Sequence, residues 1–476
     1  MGQKANNGYV DILCAHPYVT GSSFHGITHI PNGEVSEFLT DCGLFQEEPC
    51  LSRNEKLNFN PCKISNVFLT HAHADHLGRI PMLYKQGYTH MVHTTSLTQD
   101  LMRIALKNSA KVLADTAKAQ RKQPIYAISD VDKTMNNVIG YDYNKRININ
   151  KNMLVTFLGN GHIFGASSIL LRVKLLNGNY VNILFTGDYA TDNIFFDVPE
   201  YPKEIYDLPL IVFQEATYGD SFSWEKKPVL KDNVANAIKD GKDILFPAFS
   251  LGRYQEIMHL VRTWQNEGII PNFVKIILDG SLPLEYNQLF RKNKMLLKPD
   301  VKIFTPRNCV KASKMILKDD IINDPTQKII ISSSGMGTYG PSSEYIEKML
   351  PRKNVLIHFL GYMAEGTYGR KLQDTPTGEL VILRDGRLIQ KNAQVEFTNE
   401  LSAHAKADEL LDYLKKFNNI KFLGINHGEP LKTQAYASYV KKNTNIKDVF
   451  VLNDKTTYRF NEYGLVKSFT NQIEYY

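Results

Sequence analysis

The sequence has little of what marks a secreted or membrane-spanning protein. It contains five cysteines, an odd number without any Cys-x-x-Cys spacing, so we expect no disulfide framework and a reducing compartment. No stretch approaches the roughly 18 uninterrupted apolar residues of a membrane span. Residues 1–16 show neither the apolar run nor the cleavage site of a signal peptide. These absences predict a soluble, cytoplasmic protein that is not associated with a membrane.

The length and composition of the sequence are those of an ordinary globular protein. Its 476 residues suffice for two or three domains, or for one domain with a large insertion. Hydrophobic residues make up 43% and charged residues 22%, so a sizeable core is expected. The net charge of +7 fits a polyanionic partner but does not require one.

Short apolar, β-branched runs recur in the first half of the chain, and each ends at a polar or charged residue. They lie at 65–70, 152–158, 181–188 and 210–217. Such runs are typical of buried strands that deliver a side chain to a site at their carboxyl ends. A helical pattern at 97–113 lies between two of them, and alternating strands and helices favour an α/β layered fold.

A second α/β series follows a connector with three prolines at 197–209. It consists of a predicted helix at 253–264 and of predicted strands at 243–250, 274–280, 301–306, 328–335 and 354–362. The tail contains two further histidine-bearing segments, which we expect to return to the first domain. The predicted domains are 1–208, 209–390 and 391–476, the last completing the first.

Three histidines and an aspartate crowd into the segment HAHADH (71–76), directly after the first apolar run. In an extended or loosely turned segment, His71 and His73 point the same way and can chelate one ion. Asp75 and His76, at the start of the next helix, point to a second position beside it. Neutral imidazole and carboxylate oxygen are the ligands that zinc prefers when a water position stays open. The segment therefore predicts a metal site rather than a solvated polar loop.

Two ions need more ligands, and candidates lie at other strand ends. His162 follows the run at 152–158, Asp188 ends the next run, and His427 follows the run at 420–425. Each alone is a weak signal, because a single histidine after a strand is usually structural. Their shared position at strand ends, each beside a glycine, predicts a common site.

The order of these motifs resembles the metallo-β-lactamase superfamily. Its four motifs are similar to DCGLFQ (41–46), THAHADH (70–76), GHIFGASS (161–168) and FTGD (185–188). Motifs A, B and C of its nucleic-acid-processing β-CASP branch resemble QEATYG (214–219), SAHA (402–405) and NHG (426–428). Further matches extend the resemblance over nearly the whole chain: PAFSLGRYQE (247–256), LDGSLPLE (278–285), SSSGMGTYGP (332–341) and GYMAEGTYGRKL (361–372).

This resemblance implies an α/β fold, a metallo-β-lactamase αββα sandwich with an inserted β-CASP α/β domain. It implies two Zn²⁺ ions per chain with a nucleophilic hydroxide between them. The implied ligands are His71, His73 and His162 for one ion, Asp75, His76 and His427 for the other, and Asp188 as the bridge. It also implies that Asp41 orients a ligand or the nucleophile.

Phosphodiester hydrolysis further needs an acid that protonates the leaving oxygen. His404 is the predicted acid, and Glu215 is expected to fix its tautomer and raise its pKa. The alternatives are that Glu215 only ends a strand and that His404 caps a helix predicted at 405–417. With Asp75 and Asp41, these two residues form the predicted catalytic set.

The second α/β series supplies predicted phosphate contacts. The turn formed by Ser332, Ser333, Ser334 and Gly335 can present backbone N–H and hydroxyl donors. Cations are offered by Arg253, Arg370 and Lys371. The alternative for each is an ordinary turn. His358, inside a predicted buried strand, is expected to be a core histidine.

The resulting hypothesis is a zinc-dependent ribonuclease that cuts single-stranded RNA as an endonuclease, as a 5′→3′ exonuclease or as both, with a homodimer compatible with the resemblance. A DNA-processing β-CASP nuclease is an alternative, although that branch typically has an aliphatic residue in place of His427. Small-molecule metallo-hydrolases share the HAHADH pattern but lack the inserted unit. A catalytically silent scaffold of an RNA-processing complex would have lost a ligand, and none is lost.

Overall fold

The computed structural model describes residues 7–31, 34–225, 228–312, 318–363, 365–383 and 385–471. Contacts divide these residues into two units. Unit one comprises the described residues up to Asn193, Asp197–Trp224 and those from Ala403 onward, and unit two comprises Ile194–Phe196 and Glu225–Ser402.

Strands and helices are numbered in chain order. The strands are β1 (Tyr9–His16), β2 (Ser23–Ile30), β3 (Glu34–Thr40), β4 (Ile64–Phe68), β5 (Val92–Thr95), β6 (Val138–Tyr141), β7 (Arg146–Asn150), β8 (Met153–Gly159), β9 (Ser167–Lys174), β10 (Tyr180–Phe185), β11 (Leu210–Glu215), β12 (Asp243–Pro247), β13 (Lys275–Asp279), β14 (Cys309–Lys311), β15 (Lys328–Ser332), β16 (Val355–Phe359), β17 (Leu380–Ile382), β18 (Leu388–Gln390), β19 (Gln394–Phe397), β20 (Ile420–Asn426), β21 (Val449–Val451), β22 (Thr456–Asn461) and β23 (Gly464–Thr470).

The α-helices are α1 (Ala74–Leu77), α2 (Ile80–Lys85), α3 (Ser96–Ala119), α4 (Ile128–Met135), α5 (Leu230–Lys239), α6 (Arg253–Asn266), α7 (Ser281–Lys292), α8 (Lys318–Asn323), α9 (Gly340–Met349), α10 (Tyr368–Asp374), α11 (Ala407–Lys415) and α12 (Pro430–Asn443). Short 3-10 helices lie at Glu48–Glu55, Pro61–Lys63, Lys203–Ile205, Ser223–Glu225, Lys294–Leu296 and Pro299–Val301. Among the described residues, no helix is both long enough and apolar enough to cross a membrane.

Unit one contains two sheets that face each other. The first runs in the order β23-β22-β1-β2-β3-β4-β5-β6, and the second in the order β21-β20-β11-β10-β9-β8-β7. Phe24 of the first sheet lies against Phe185 and Phe213 of the second, with ring centroids 5.0 and 5.1 Å apart. Burying each such side chain contributes about 1.5–3 kcal/mol, so this shared core holds the sheets together.

Helices cover the outer face of each sheet. Helix α3 buries Leu101, Met102 and Leu106 and contacts β5 and β6 of the first sheet. Helices α11 and α12 bury Leu410 and Tyr436 in a cluster with residues of the second sheet. The unit is therefore the αββα sandwich that the resemblance implied, and the predicted fold class is confirmed.

The carboxyl-terminal segment completes both sheets of unit one. Strand β20 pairs in parallel with β11, and β22 pairs antiparallel with β1. The unit limits, at 224/225 and 402/403, lie later in the chain than those predicted at 208/209 and 390/391. The reason is pairing: β11 joins β10 and β20 in unit one, whereas β19 joins β16 in unit two.

Unit two is built on a parallel sheet in the order β14-β13-β15-β12-β16-β19, with a separate hairpin of β17 and β18. The strand predicted at 301–306 is wrong. Pro299 opens a 3-10 turn there instead, and Val301 and Phe304 are buried while Ile303 is 69% exposed. Burial of two residues three positions apart is typical of a turn, not of a strand. The edge of the sheet is formed instead by the later strand β14.

Candidate metal centre

The strands of unit one deliver the predicted side chains at their carboxyl ends. Strands β3 and β4 of the first sheet run parallel to each other, as do β10, β11 and β20 of the second, so within each sheet the carboxyl ends of these strands lie at one edge. These ends carry Asp41 after β3, His71 after β4, His162 after β8, Asp188 after β10, Glu215 as the last residue of β11 and His427 after β20.

The first cluster consists of His71, His73, His162 and Asp188, whose ligand atoms lie within 4.8 Å of one another. The Nδ1 of His73 lies 3.1 Å from Nε2 of His71 and 3.0 Å from Nε2 of His162. Asp188 Oδ2 lies 3.6 and 3.4 Å from those same two Nε2 atoms. Three imidazole nitrogens and a carboxylate oxygen thus converge on one point.

The second cluster consists of Asp75, His76, His427 and again Asp188. Asp188 Oδ1 lies 3.1 Å from Nε2 of His76 and 3.3 Å from Nε2 of His427. Asp75 Oδ2 lies 3.7 and 3.6 Å from the same two nitrogens. Each carboxylate oxygen of Asp188 therefore faces a different cluster.

Hydrogen bonds on the outer side of the imidazoles indicate their tautomers. The Nδ1 of His162 lies 2.7 Å from the carbonyl oxygen of Ala403, which can only accept a hydrogen bond. The Nδ1 of His76 lies 2.7 Å from Asp41 Oδ2. With their protons on Nδ1, both rings direct the Nε2 lone pair inward, as metal ligands do.

The imidazoles of the first cluster are neutral. Burial lowers the pKa of His71 well below its ordinary value, and the neighbouring His76 and His162 lower it further. Burial is also the main cause that lowers the pKa of His73 and of His162. Their nitrogen lone pairs are therefore available at neutral pH.

In the second cluster, carboxylates outweigh burial. Burial alone would lower the pKa of His427, but Asp188 and Asp75 raise it to about 9. Burial likewise opposes protonation of His76, yet Asp188, Asp41 and Asp75 raise its pKa well above the ordinary value. A cation bound at this cluster would therefore have to displace protons from these imidazoles.

This donor set fits a metal site. A single proton on His73 Nδ1 can satisfy only one of the two nitrogens beside it, whereas a cation between the three lone pairs satisfies all of them. Asp188 Oδ1 is buried and faces the Nε2 atoms of His76 and His427, so its charge is balanced either by protons on those rings or by a cation in their place. Imidazole and carboxylate around both points match the preferences of zinc.

His404 and Glu215 form a pair beside the clusters. The Nδ1 of His404 lies 2.9 and 3.0 Å from the two carboxylate oxygens of Glu215. Its Nε2 lies 3.9 Å from Asp188 Oδ2. Helix α11 begins at Ala407 with Lys406 as its N-cap, so the His404 side chain does not cap the helix. Although burial opposes protonation of His404, Glu215 and Asp188 outweigh it and raise its pKa.

Glu215 does more than end β11. Its Oε1 accepts a hydrogen bond from the backbone N–H of Tyr189 at 2.7 Å, and Oε2 accepts one from Thr217 N–H at 3.2 Å. The Thr217 hydroxyl in turn lies 3.1 Å from Nδ1 of His427. The Glu215 carboxylate is thus fixed between His404 and the second cluster.

The sequence reasoning missed two threonines. Thr217 contacts His427, and the Thr70 hydroxyl donates to Asp41 and lies 3.1 Å from Nδ1 of His71. Both lie inside motifs already singled out, directly before HAHADH and within QEATYG. The signal available in the sequence was a hydroxyl residue inside each of these motifs, which could have been predicted to orient a ligand.

The predicted phosphate contacts lie in unit two, on loops that follow its parallel strands and at helix starts. Ser332 ends β15 and is fully buried, Ser333 is nearly so, and the Ser334 hydroxyl donates to the carbonyl of Tyr339 at 3.0 Å. Gly335 packs closely on Phe249.

The three predicted cations of unit two differ in their surroundings. Arg253, at the start of α6, is largely buried and pairs with Glu256. Arg370, in α10, is 42% exposed and lies 3.2 Å from Asp374. Lys371 is exposed. The predicted core histidine, His358, is fully buried in β16.

An Asp41→Asn variant is expected to bind metal about 10–100-fold more weakly, because Asp41 orients His76 and hydrogen-bonds the Thr70 N–H at 2.8 Å. Competition with a chelating dye measures the affinity. Asp11→Asn is the matched control, since Asp11 is also buried but pairs with Arg459. It should leave metal affinity unchanged, and equal losses in both variants would contradict the orienting role.

Comparison with known proteins adds independent information on the family. A metallo-beta-lactamase superfamily model matches residues 34–134, a Beta-Casp domain model matches 254–372, and a Zn-dependent metallo-hydrolase RNA specificity domain matches 388–452. The transcription termination factor FttA of Methanosarcina mazei is 30% identical over 446 residues, which cover 88% of this chain and 68% of that protein. The chain belongs to the β-CASP branch of the metallo-β-lactamase superfamily.

Two further relatives show how the length of this β-CASP protein compares with that of its family. The termination factor FttA of Methanocaldococcus jannaschii is 28% identical over 427 residues, covering 85% of this chain but 65% of that protein. An RNase J-like protein of the same organism is 27% identical over 417 residues, covering 86% of this chain and 90% of that protein. The chain thus spans about two thirds of these termination factors and most of the RNase J-like protein. As a β-CASP metallo-hydrolase it has a His/Asp cluster that fits a metal site.

Proposed function

We propose that this β-CASP protein is a two-zinc ribonuclease that hydrolyses phosphodiester bonds in single-stranded RNA. The observation that carries the proposal is the shared Asp188, which faces one His/Asp cluster with each oxygen while the His404–Glu215 pair lies beside both. One cluster would hold its zinc through His71, His73 and His162, and the other through Asp75, His76 and His427.

Zinc bound at this pair of sites would supply a nucleophilic water near neutral pH and neutralise charge on the phosphate. The chain itself supplies the remaining steps. Asp188 holds the two sites together, and Asp41 and Thr217 keep the Nε2 lone pairs of His76 and His427 directed inward. His404, held through Nδ1 by Glu215, donates a proton from Nε2 to the leaving 3′ oxygen.

RNA is favoured over other substrates by the family and by the site. One relative is named RNase J-like, and one matched domain is described as an RNA specificity domain. His427 occupies the position that is typically aliphatic in the DNA-processing branch. We retain the turn of Ser332, Ser333, Ser334 and Gly335, together with Arg253, Arg370 and Lys371, as proposed phosphate contacts. The cytoplasmic location and a homodimer remain predictions of the sequence.

The test of this proposal is metal analysis together with cleavage. Protein purified without chelators is expected to contain about two zinc ions per chain, because the two clusters offer separate ligand sets around Asp188. It should cut labelled single-stranded RNA and leave DNA of the same sequence largely intact. Equal cleavage of DNA would favour the DNA-processing alternative, and a zinc-loaded protein that cuts neither would support the scaffold.

The mode of cleavage is tested by offering three RNAs side by side, with a 5′-monophosphate, with a 5′-triphosphate and circular. An endonuclease cuts all three, because no end is needed. A 5′→3′ exonuclease leaves the circle intact and distinguishes the two linear forms if its site recognises the 5′ end.

RNA binding is expected to weaken with salt, because phosphate contacts release counterions. A basic stripe on α3 supports this expectation: Arg103, Lys107 and Lys111 follow at intervals of four and are exposed, and no described carboxylate lies within ion-pair distance of them. Replacing all three with glutamine should lower the slope of log affinity against log salt by about 2, at roughly 0.7 per phosphate.

The matched control replaces three exposed lysines elsewhere in unit one, Lys416, Lys421 and Lys447. We expect its slope to stay close to that of the unmodified protein. If the affinity of the unmodified protein does not change with salt, phosphate contact is contradicted. If the two triple variants have equal slopes, α3 is not part of the RNA-binding surface.

A further inference from the structure

Trp224 is a large aromatic side chain on the surface of unit one. It lies in the 3-10 turn Ser223–Glu225 and is 66% exposed. Burial of a tryptophan is one of the largest apolar contributions available to a folded chain, so an exposed one adds little to folding. The other tryptophan, Trp264 of unit two, is only 4% exposed.

The Trp224 ring is held in a fixed orientation. Phe222 stacks beneath it with ring centroids 4.4 Å apart and planes inclined by 19°. Phe222 in turn packs edge-on against Tyr439 of α12 at 5.1 Å. The Ser223 N–H donates to Asp408 Oδ1 at 2.9 Å, and the Ser223 hydroxyl donates to the same carboxylate. The outer face of an anchored aromatic stack is therefore presented to solvent.

This stack is connected to the His404–Glu215 pair by two adjacent chain segments. Residues 215–224 begin at Glu215, and residues 404–408 begin at His404. Tyr218 pairs with Lys406 in a parallel bridge, and the Ala407 N–H donates to the Ser221 carbonyl at 2.9 Å. The two segments thus run side by side from the proposed acid to the stack.

The helix that supports the stack carries exposed positive charge. Helix α12, which supplies Tyr439, ends with Lys441 and Lys442 in its last turn. Both lysines are exposed, and no described carboxylate lies within ion-pair distance of either. A flat aromatic face together with cations on the helix that supports it matches a nucleic acid strand, in which every base has a π face and every linkage a negative charge.

We propose that Trp224, backed by Phe222, is a stacking platform for one base of the single-stranded RNA. The proposal rests on the proposed ribonuclease function and adds a base-binding subsite to it. A base is favoured over a protein side chain because the platform is flat, packs through Phe222 on a helix that ends with two exposed lysines, and lies on the segments that carry His404 and Glu215. Stacking contacts every base, so the subsite adds affinity without sequence preference.

Steady-state kinetics of RNA cleavage test the platform. Trp224→Ala is expected to raise KM about five- to a hundredfold, the usual effect of losing one base–aromatic contact, and to leave kcat nearly unchanged. Trp224→Tyr should recover most of the loss. The control is Leu431→Ala, which removes a side chain of α12 that is 80% exposed and leaves the stack intact.

Fluorescence provides a direct readout, because the chain has two tryptophans and the other one is buried. The difference in emission between the unmodified protein and Trp224→Phe isolates Trp224. Mixing with a 12-nucleotide single-stranded RNA in a stopped-flow instrument should quench this emission before cleavage. An RNA of the same length with abasic sites should quench it much less.

The outcomes separate the platform from the ribonuclease function. If the unmodified protein cuts RNA but Trp224→Ala has the same KM as Leu431→Ala, the platform is wrong and the ribonuclease proposal stands. Equal quenching by normal and abasic RNA would also overturn stacking. If RNA does not change the Trp224 emission, the proposal is contradicted, and a protein partner becomes the better candidate for this surface. If the unmodified protein cuts no RNA, the ribonuclease function itself fails.

Discussion

Replacing His73 with alanine is expected to remove zinc from the first cluster and to lower RNA cleavage about 10³-fold or more. The His73 Nδ1 is the nitrogen that lies within 3.1 Å of both neighbouring Nε2 atoms, so its loss opens the ligand set on one side. A catalytic metal supplies several kcal/mol of charge stabilisation to the transition state, and each 1.36 kcal/mol corresponds to a factor of ten. Elemental analysis and single-turnover cleavage of the same preparation measure both effects.

The matched control for this variant is His93→Ala. His93 is also a buried histidine of unit one, but it lies 3.1 Å from Asn66 Oδ1 and from the Tyr141 hydroxyl rather than in the metal clusters. Its loss should lower thermal stability and leave the zinc content and the rate per folded molecule unchanged. A His73→Ala protein that keeps both metals and full activity would end the two-zinc hypothesis.

His404→Ala is expected to keep both metals and to cleave RNA about 10²–10⁴-fold more slowly. His404 belongs to neither proposed zinc ligand set, and its Nδ1 hydrogen-bonds to Glu215 instead. The 3′ oxygen is a poor leaving group unless it is protonated. The loss should therefore appear in the cleavage step and not in zinc content or in RNA binding.

The Glu215→Gln variant needs a separate control for its metal content. Because Glu215 also holds the Thr217 N–H, and the Thr217 hydroxyl contacts His427, a changed carboxylate can disturb the second cluster. With zinc content unchanged, we expect a milder loss than in His404→Ala, since the imidazole would remain but would be less firmly oriented and less readily protonated.

A substrate with sulfur at the bridging 3′ position decides whether His404 acts as the acid. Thiolate is a good leaving group and needs little protonation. The His404→Ala protein should recover most of its rate on this substrate, whereas His73→Ala should not, because it lacks the metal. Equal impairment of His404→Ala on both substrates, at unchanged zinc content, would contradict the acid role.

Much of the site could be predicted from the sequence because its ligands lie in short motifs. The spacing of HAHADH alone predicts two adjacent metal positions, and the glycine-flanked residues at strand ends predict further ligands. Strand and helix types were also predictable where the apolar pattern was long, as in α3 and β8. Local periodicity carries this information without knowledge of the rest of the chain.

Local patterns failed where packing or pairing decided the outcome. The apolar residues at 301–306 suggested a strand, yet Val301 and Phe304 are buried in a turn that follows Pro299. The polar Ser332 looked available to a ligand, yet it is the fully buried last residue of β15. The pairing of Arg253 with Glu256 one turn along the helix was likewise not evident from the local pattern, and its phosphate contact stays a prediction.

The sequence by itself predicted which residues would bind zinc, which histidine would serve as an acid, and that His162, Asp188 and His427 follow strands. Only the tertiary structure decided how they meet. The two oxygens of Asp188 face two separate clusters, and Glu215 joins His404 to the second of them through Thr217. These relations depend on parallel pairing of β11 with β10 and β20, strands up to about 200 residues apart in the chain. Such pairing is fixed by the burial of whole sheets, which no local pattern of residues can express.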